Sequence, residues 1–212
     1  MTPSEKIESL QAIAPDVSRE TAEKMIRLEA FFLKWAKTIN LVSPATLNVA
    51  WHRHFLDSAQ IWRWRGSTKS WIDLGSGSGF PALVIAVLET KSGSKVTLVE
   101  SNVKKSAYLR QAIAALDLNA EVLTIRVEEL DASLLSAPET TITARAFAPL
   151  DRMLDWTNGF GSPSSRALLH KGRGFQDELA DARRLWAFDL LEHASLVDSD
   201  SVILDITAVR RL

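Results

Sequence analysis

Residues Trp71 to Ala86, WIDLGSGSGFPALVIA, constrain this chain more than any other stretch. The run Ser70 to Leu74 is short and apolar, with one acid, Asp73, inside it. Gly75-Ser76-Gly77-Ser78-Gly79 follows at once, then Phe80, Pro81 and a second apolar run, Ala82 to Leu88. That order reads as buried strand, glycine turn and helix. Pro81 suits a helix's first turn, where its missing N–H costs little. The glycines let the backbone take positive φ and let a ligand approach the main chain, and a helix start favours electron-rich ligand atoms. Three readings of the loop stay open on its own residues. From Gly75 it is G-x-G-x-G, the loop of S-adenosylmethionine (SAM) enzymes. From Gly77, closed by Ala82, it is G-x-G-x-x-A, which a nicotinamide site tolerates. The third reading is a turn that binds nothing.

The rest of the chain narrows the field. At 212 residues with 46% hydrophobic residues, a single domain with an ample core is expected. There is no cysteine, so disulfides, thiolate metal sites and thiol nucleophiles are excluded, and a reducing cytoplasm is the compartment that fits. The start, MTPSEKIESL, lacks the layout of a signal peptide. The apolar run Ala82–Leu88 is too short to span a bilayer. Net charge is −1, so any nucleic-acid contact needs a local basic face. Residues 51–70 supply one, with Arg53, Arg63, Arg65 and Lys69 against Asp57. His52 and His54, two apart on a helix, point away from each other, and no metal site is expected. Asp57 is spaced for a helix-face ion pair with Arg53 or His54.

Helical periodicity covers Ser18 to Ile39, with Ser18 or Asp16 as cap, and then about Leu47 to Trp64, with Trp51, Phe55, Ala59 and Trp62 on one stripe and Arg53, His54, Asp57, Arg63 and Arg65 on the other. Strands are predicted at Ser70–Leu74, Lys95–Glu100, Glu121–Ile125, Thr141–Ala146 and Arg166–His170. Helices fall at Lys104–Asp117, Leu150–Trp156 and Glu178–Phe188, and 158–165 is read as a break. Glu192–Val197 and Val202–Val209 read as a terminal hairpin. Strands alternating with helices make a wound α/β fold: a mostly parallel seven-stranded sheet, a terminal antiparallel hairpin and a helical N-terminal extension. The expected division is an extension over 1–65 and an α/β core over 66–212, within one domain.

In such a sheet ligands sit at the carboxyl ends of the strands. Those ends deliver Asp73, Glu100, Arg126 to Glu129, Arg145, His170 and Lys171. Glu100 lies 21 residues beyond Gly79, a distance at which an acid meets a cofactor's ribose hydroxyls, in SAM and NAD alike. Arg145 and Lys171 suit phosphate or guanine contacts. Lys104, Arg53, Arg63, Arg65 and Arg173, with His54, are candidate contacts to an anionic partner, and to an RNA backbone if the partner is a nucleic acid. The seven tryptophans are read mainly as packing residues.

A resemblance sharpens this. Arg53-His54-Phe55-Leu56-Asp57-Ser58, Ile72 to Pro81, Leu98-Val99-Glu100-Ser101 with Lys104-Lys105, Arg126-Val127-Glu128-Glu129, Ala144-Arg145-Ala146-Phe147-Ala148 and Leu169-His170-Lys171-Gly172 occur in order. The chain resembles the bacterial 16S rRNA guanine-N7 methyltransferase family, small-subunit methyltransferase G, once called glucose-inhibited division protein B. The likeness covers about residues 38–175. Ala82 stands where the family usually has Gly, and the chain after about residue 175 matches only in strand pattern. The resemblance implies a class I SAM-dependent methyltransferase that modifies one guanosine in the decoding region of 16S rRNA. It places Gly75 and Phe80, with Gly77 and Gly79, on the loop side of the SAM pocket, Val127 and Glu128 at the adenine end, and Arg145 beside the cofactor. Glu100 takes the ribose role, and Asp73 acts through loop geometry or a water near the SAM amino group. Arg145 and Lys171 are the expected catalytic pair. The partner is 16S rRNA within the small ribosomal subunit, with no membrane, no metal and a monomeric enzyme. Two competitors remain on the residues alone: a nicotinamide-linked oxidoreductase, and a non-catalytic RNA-binding module with a relic pocket.

Overall fold

The computed structural model describes residues 1–157 and 165–212. The predicted break at 158–165 lies, but for Ser165, outside them. The strands of the sheet's centre are short: β1 (Ser70–Leu74), β2 (Lys95–Val99), β3 (Ala120–Leu123), β4 (Thr140–Arg145) and β5 (Arg166–Lys171). Of these, β1, β2, β4 and β5 bury most of their side chains, polar ones such as Asp73, Thr97 and Thr143 included. β6 (Trp186–Ala194) and β7 (Val202–Arg211) form the terminal hairpin. The order is β3-β2-β1-β4-β5-β7-β6, and β7 runs antiparallel to both its neighbours while the other pairings are parallel. Chain order reverses between β1 and β4, which opens a crevice at their carboxyl ends. The register sets Asp73 of β1 beside Leu98 of β2 and Thr143 of β4.

The helices cover both faces. α1 (Pro3–Ile13) begins with a capping box: the Thr2 side chain accepts from Glu5 N–H, and Glu5 accepts from Thr2 N–H. This helix is absent from the sequence reading, although the T-P-S-E signal is there. α2 (Arg19–Ala36) is capped by Ser18, whose Oγ accepts from Thr21 N–H. After the short α3 (Pro44–Leu47), the predicted single helix over 47–64 is instead three pieces: a π-helical turn at Trp51–Leu56, α4 (Asp57–Ala59) and a 3₁₀ turn at Gln60–Trp64. The stripe Trp51, Phe55, Ala59 and Trp62 is buried as expected, but His54 and Asp57 are buried too. A π turn bonds i to i+5, so the i,i+4 spacing that linked Arg53 to Asp57 no longer describes one face. α5 (Ala82–Leu88) starts one residue after Pro81, which is its N-cap rather than a first-turn residue. α6 (Val103–Leu116), the short α7 (Ala132–Leu135), α8 (Leu150–Trp156) and α9 (Phe175–Ala182) follow. The helix expected to reach Phe188 stops at Ala182, and Trp186 to Phe188 already belong to β6.

One apolar cluster joins α1, α2 and the 51–62 segment to α5, α6 and one face of the sheet, through Leu10, Met25, Phe32, Phe55, Trp71 and Leu109 among others. The extension is therefore continuous with the core. A second cluster, with Ile72, Ile142, Leu169, Met153 and Trp186, fills the other face. Each fully buried side chain of this size contributes roughly 1.5–3 kcal/mol. The Trp71 indole N–H, entering the core with β1, donates to buried Glu89 at 2.6 Å.

Candidate active site

The loop after β1 explains its own glycines. Gly75, Gly77 and Gly79 have φ of 68°, 54° and 88°. A Cβ on Gly75 would lie 2.0 Å from the Phe147 ring, and one on Gly79 would lie 2.5 Å from Leu83. At Gly77 a Cβ would meet only Gly75 O, at 3.6 Å. The Gly77 N–H donates to Glu100 Oε2 at 2.7 Å, while Glu100 Oε1 accepts from Asn102 N–H at 2.7 Å. One carboxylate thus braces the glycine loop and the start of α6 together. Phe80 is pressed from behind by Phe32 (5.2 Å between ring centroids), Phe55 (5.0 Å) and His54 (5.2 Å, nearly parallel).

In front of this loop lies a cavity of about 650 Å³. Gly75, Gly77, Phe80, Glu100, Val127, Glu128 and Arg145 border it. Asp73 and Gly79 do not; they act beneath the loop. Asp73 is buried, with Oδ1 accepting from Thr143 Oγ1 at 2.7 Å and Oδ2 without a partner. Burial pushes its carboxyl up to about 7, with the Glu100 charge adding to the effect. The reading of single residues missed the cavity's lid: Leu41, Val42, Ser43 and Thr46 from the extension, and Phe147 and Trp156 from beyond β4.

Arg145 closes the other side. Its Nε lies 3.2 Å from Asp57 Oδ2. Its Nη2 donates to Arg53 O at 2.8 Å and to His54 Nδ1 at 3.2 Å, which leaves His54 Nε2–H to donate to Thr46 Oγ1. Asp57 Oδ1 accepts from Gln60, and Asp57 O accepts from His170 Nε2 at 2.9 Å. Asp57, read from spacing as a partner of Arg53 or His54, is the hub that ties the extension to the ends of β4 and β5. Burial, with the Arg145 and Arg53 charges, holds His54 down at about 4, so it is neutral near pH 7. Burial also lowers His170. Ala146, the residue after Arg145, has φ of 50° without being glycine. Such strain concentrates at functional sites, and here it directs Arg145 and Phe147 to different partners.

A second cavity of about 910 Å³ shares Arg53, Arg145, Ala146 and Phe147 with the first, and His170 and Lys171 border it. Lys171 Nζ donates to Ala148 O at 2.9 Å and pairs with Glu178 at 2.6 Å. The remaining candidates scatter. Arg53 is exposed and borders both cavities. Lys104 is exposed at the start of α6, beside cavity-lining Lys105. Arg173 is exposed and paired with Asp200. His54 is buried in the aromatic cluster, not displayed on a surface. Arg63 and Arg65 stand before β1, at the amino ends of the strands, where they contact Ile13 O and Asp16; neither borders the two cavities. Among the described residues no group of three or more His, Asp or Glu is placed to hold a metal ion, and no helix is long and apolar enough to cross a membrane.

The donor set fits SAM. Glu100 offers carboxylate acceptors at the end of β2, the open glycine loop admits a close ligand, and Asp73 keeps one buried oxygen unpaired beneath it. A seven-stranded sheet of this order with that loop at its switch point defines a class I SAM-dependent methyltransferase. Solved structures agree on the fold: a SAM-dependent methyltransferase from Aquifex aeolicus (TM-score 0.56, 14% identity, 82% of this chain and 98% of that one) and an rRNA methylase from Clostridium thermocellum, described there as putative (TM-score 0.51, 10% identity, 68% and 90%).

Residues 21–206 match the family described as rRNA small subunit methyltransferase G. Curated relatives named ribosomal RNA small subunit methyltransferase G come from Brucella anthropi (44% identical, 100% of this chain and 99% of that one), Chelativorans sp. (43%, 99% and 99%) and Rhizobium etli (44%, 92% and 96%). The chain belongs to the rRNA small subunit methyltransferase G family, and SAM is its cofactor.

Proposed function

We propose that this enzyme transfers the SAM methyl group to N7 of one guanosine in the decoding region of 16S rRNA. The observation that carries the reading is the junction between the two cavities. Arg145 stands there, and the carboxylate against it, Asp57, is already taken by Arg145 and Gln60. A free general base is not needed, because guanine N7 has an available lone pair and no proton to lose. When bound, SAM supplies an electrophilic methyl on its sulfonium. The chain's own work is alignment: Glu100 and the Val127–Glu128 turn hold the nucleoside end, Gly75 and Phe80 shape the other, and Arg145 fixes the acceptor. Arg145 and Lys171 form the catalytic pair. Arg53, Lys104 and Arg173 supply sequence-blind RNA contacts on the cavity side, with His54 supporting through the extension's packing.

The acceptor in this reading is the small ribosomal subunit in the cytoplasm, and the enzyme is a monomer of one domain, with an extension over 1–65 on a core over 66–212. The net charge of −1 supports an assembled particle as substrate, since charge alone offers little grip on naked RNA. The test is nucleoside mass spectrometry after incubating the protein with SAM and small subunits from cells lacking the corresponding enzyme. One new 7-methylguanosine in 16S rRNA is expected. SAM binding without product would reject the acceptor. A melting temperature raised by NADH and not by SAM would reject the cofactor.

A further inference from the structure

As guanine N7 takes a methyl group, its lone pair makes the new N–C bond, and the electrons of the broken C–S bond stay on sulfur. No proton moves. The positive charge leaves sulfur and spreads over the purine, so a neutral base becomes a flat cation. Arg53 and Arg145, which border both cavities, repel such a charge. The electron-rich face of an aromatic ring attracts it.

Phe147 stands where that charge arrives. Among the described residues it alone of the Phe, Tyr and Trp side chains borders both cavities, and it is half-buried. Its ring lies against the cofactor loop: Cδ2, Cε2 and Cγ come within 2.0, 2.6 and 2.7 Å of the place a Cβ on Gly75 would take. Gly75 shapes the end of the first cavity opposite the nucleoside, where the methyl-bearing part of SAM belongs in the reading above. A base that takes the methyl there comes within reach of this ring. Trp156, which also borders the first cavity, steadies it at 5.6 Å between ring centroids. The left-handed turn at Ala146 sends Arg145 to Asp57 and Phe147 to the loop. A phenyl ring has no proton to give or take, so its part in the chemistry is through its π electrons.

We propose that Phe147 is a catalytic residue: its ring stacks on the target guanine, and its π face stabilises the positive charge that N7 methylation places on the purine. This rests on the methyltransferase reading above and deepens it. The face attracts the forming cation more than the neutral base, so the contact strengthens toward the transition state, the kind of contact that raises kcat.

The test replaces Phe147 with mono-, di- and trifluorinated phenylalanine, which keep the shape of the ring and draw electrons from its face step by step. Single-turnover methylation of small subunits at saturating SAM is expected to slow at each step, by about tenfold over the series, the scale of a partly desolvated cation–π contact. SAM affinity, read by calorimetric titration, is expected to stay level. A rate that is level across the series reduces the ring to packing against Gly75 and overturns the proposal. A SAM affinity that falls in step with fluorination also overturns it, because the face would then serve the sulfonium before any transfer. Phe147→Leu keeps an apolar side chain against Gly75 and has no π face. It is expected to slow the same step at least as much, and a wild-type rate there counts against the proposal equally. An unsubstituted protein that binds SAM and methylates no guanosine N7 overturns the underlying reading, and the role of Phe147 with it.

Discussion

At the residue scale, the buried Arg145–Asp57 pair carries two jobs that one substitution cannot separate. Arg145→Ala removes a group from the junction of the cavities and also leaves Asp57 buried without its cation. Breaking such a pair costs about 3–5 kcal/mol. The single variant is expected to lose both methylation and thermal stability. Arg145→Ala combined with Asp57→Asn is expected to recover most of the melting temperature and none of the activity, as differential scanning calorimetry beside a methylation assay would show. Recovered activity in the double variant would reduce Arg145 to a structural ion.

Asp73 makes a second residue-scale prediction, through pH. Its ordinary value is near 3.8 and burial raises it to about 7 in the folded protein. Between those values the folded state holds a proton that the unfolded chain has released, so stability falls as pH rises from about 4 to 7 and is level above that. The size is on the order of a few kcal/mol. His54, lowered from 6.5 to about 4, acts oppositely over an overlapping window, with stability lost as pH falls through it. The wild-type melting curve therefore mixes the two. The difference between Asp73→Asn and wild type isolates the acid: the variant's relative melting temperature is expected to climb from pH 4.5 to pH 7 and then hold. A difference that does not vary with pH would mean that Asp73 is ionised throughout.

At the scale of elements, the extension is a support for the cofactor loop. Phe32 of α2 is fully buried and touches Phe55 and Phe80, yet it does not border the cavity. Phe32→Ala is expected to cost about 3–5 kcal/mol and to weaken SAM binding as Phe80 loses its backing. Calorimetric titration at a temperature where the variant remains folded would check this; unchanged SAM affinity would uncouple α2 from the loop. How much of this was legible in the sequence depends on range. The strands β1, β2, β4 and β5 and helix α8 were readable to within a residue or so, because short apolar runs and local caps encode them. Of the residues that border the first cavity, the loop glycines, Glu100 and Arg145 stood out by loop and strand-end position, whereas the places of Phe80, Val127 and Glu128 in a pocket came from the family resemblance. What escaped was set by distant partners. Asp57 and Arg145 are 88 positions apart, and only the fold shows that they pair. β6 begins at Trp186 because β7 pairs with it as far as Arg211; the local pattern around Leu179 to Phe188 is equally helical. The π turn that buries His54 has no local signature, whereas α1 did carry one in Thr2 to Glu5.

At the scale of the whole molecule, charge is nearly balanced, with 25 basic and 26 acidic side chains, so position rather than sum must direct RNA. The carboxyl ends of the strands collect exposed Arg53, Lys104 and Arg126 around the first cavity, with Lys105 on its rim. Among the described residues none of these four takes part in an ion pair. Across the sheet, at the strands' amino ends, Arg65 is paired with Asp16 and stacked on Trp62, and Lys69 is paired with Glu139. The molecule is therefore expected to grip its substrate from one end only. Lys104→Glu should weaken binding to the small subunit and lower the steepness of its salt dependence by about one contact. Arg63→Glu, at the other end, should leave both unchanged, although both substitutions alter net charge equally. Filter binding at several salt concentrations separates the outcomes. Equal losses from the two variants would mean that net charge governs recognition; a loss from Arg63→Glu alone would move the RNA to the amino end of the strands, away from both cavities.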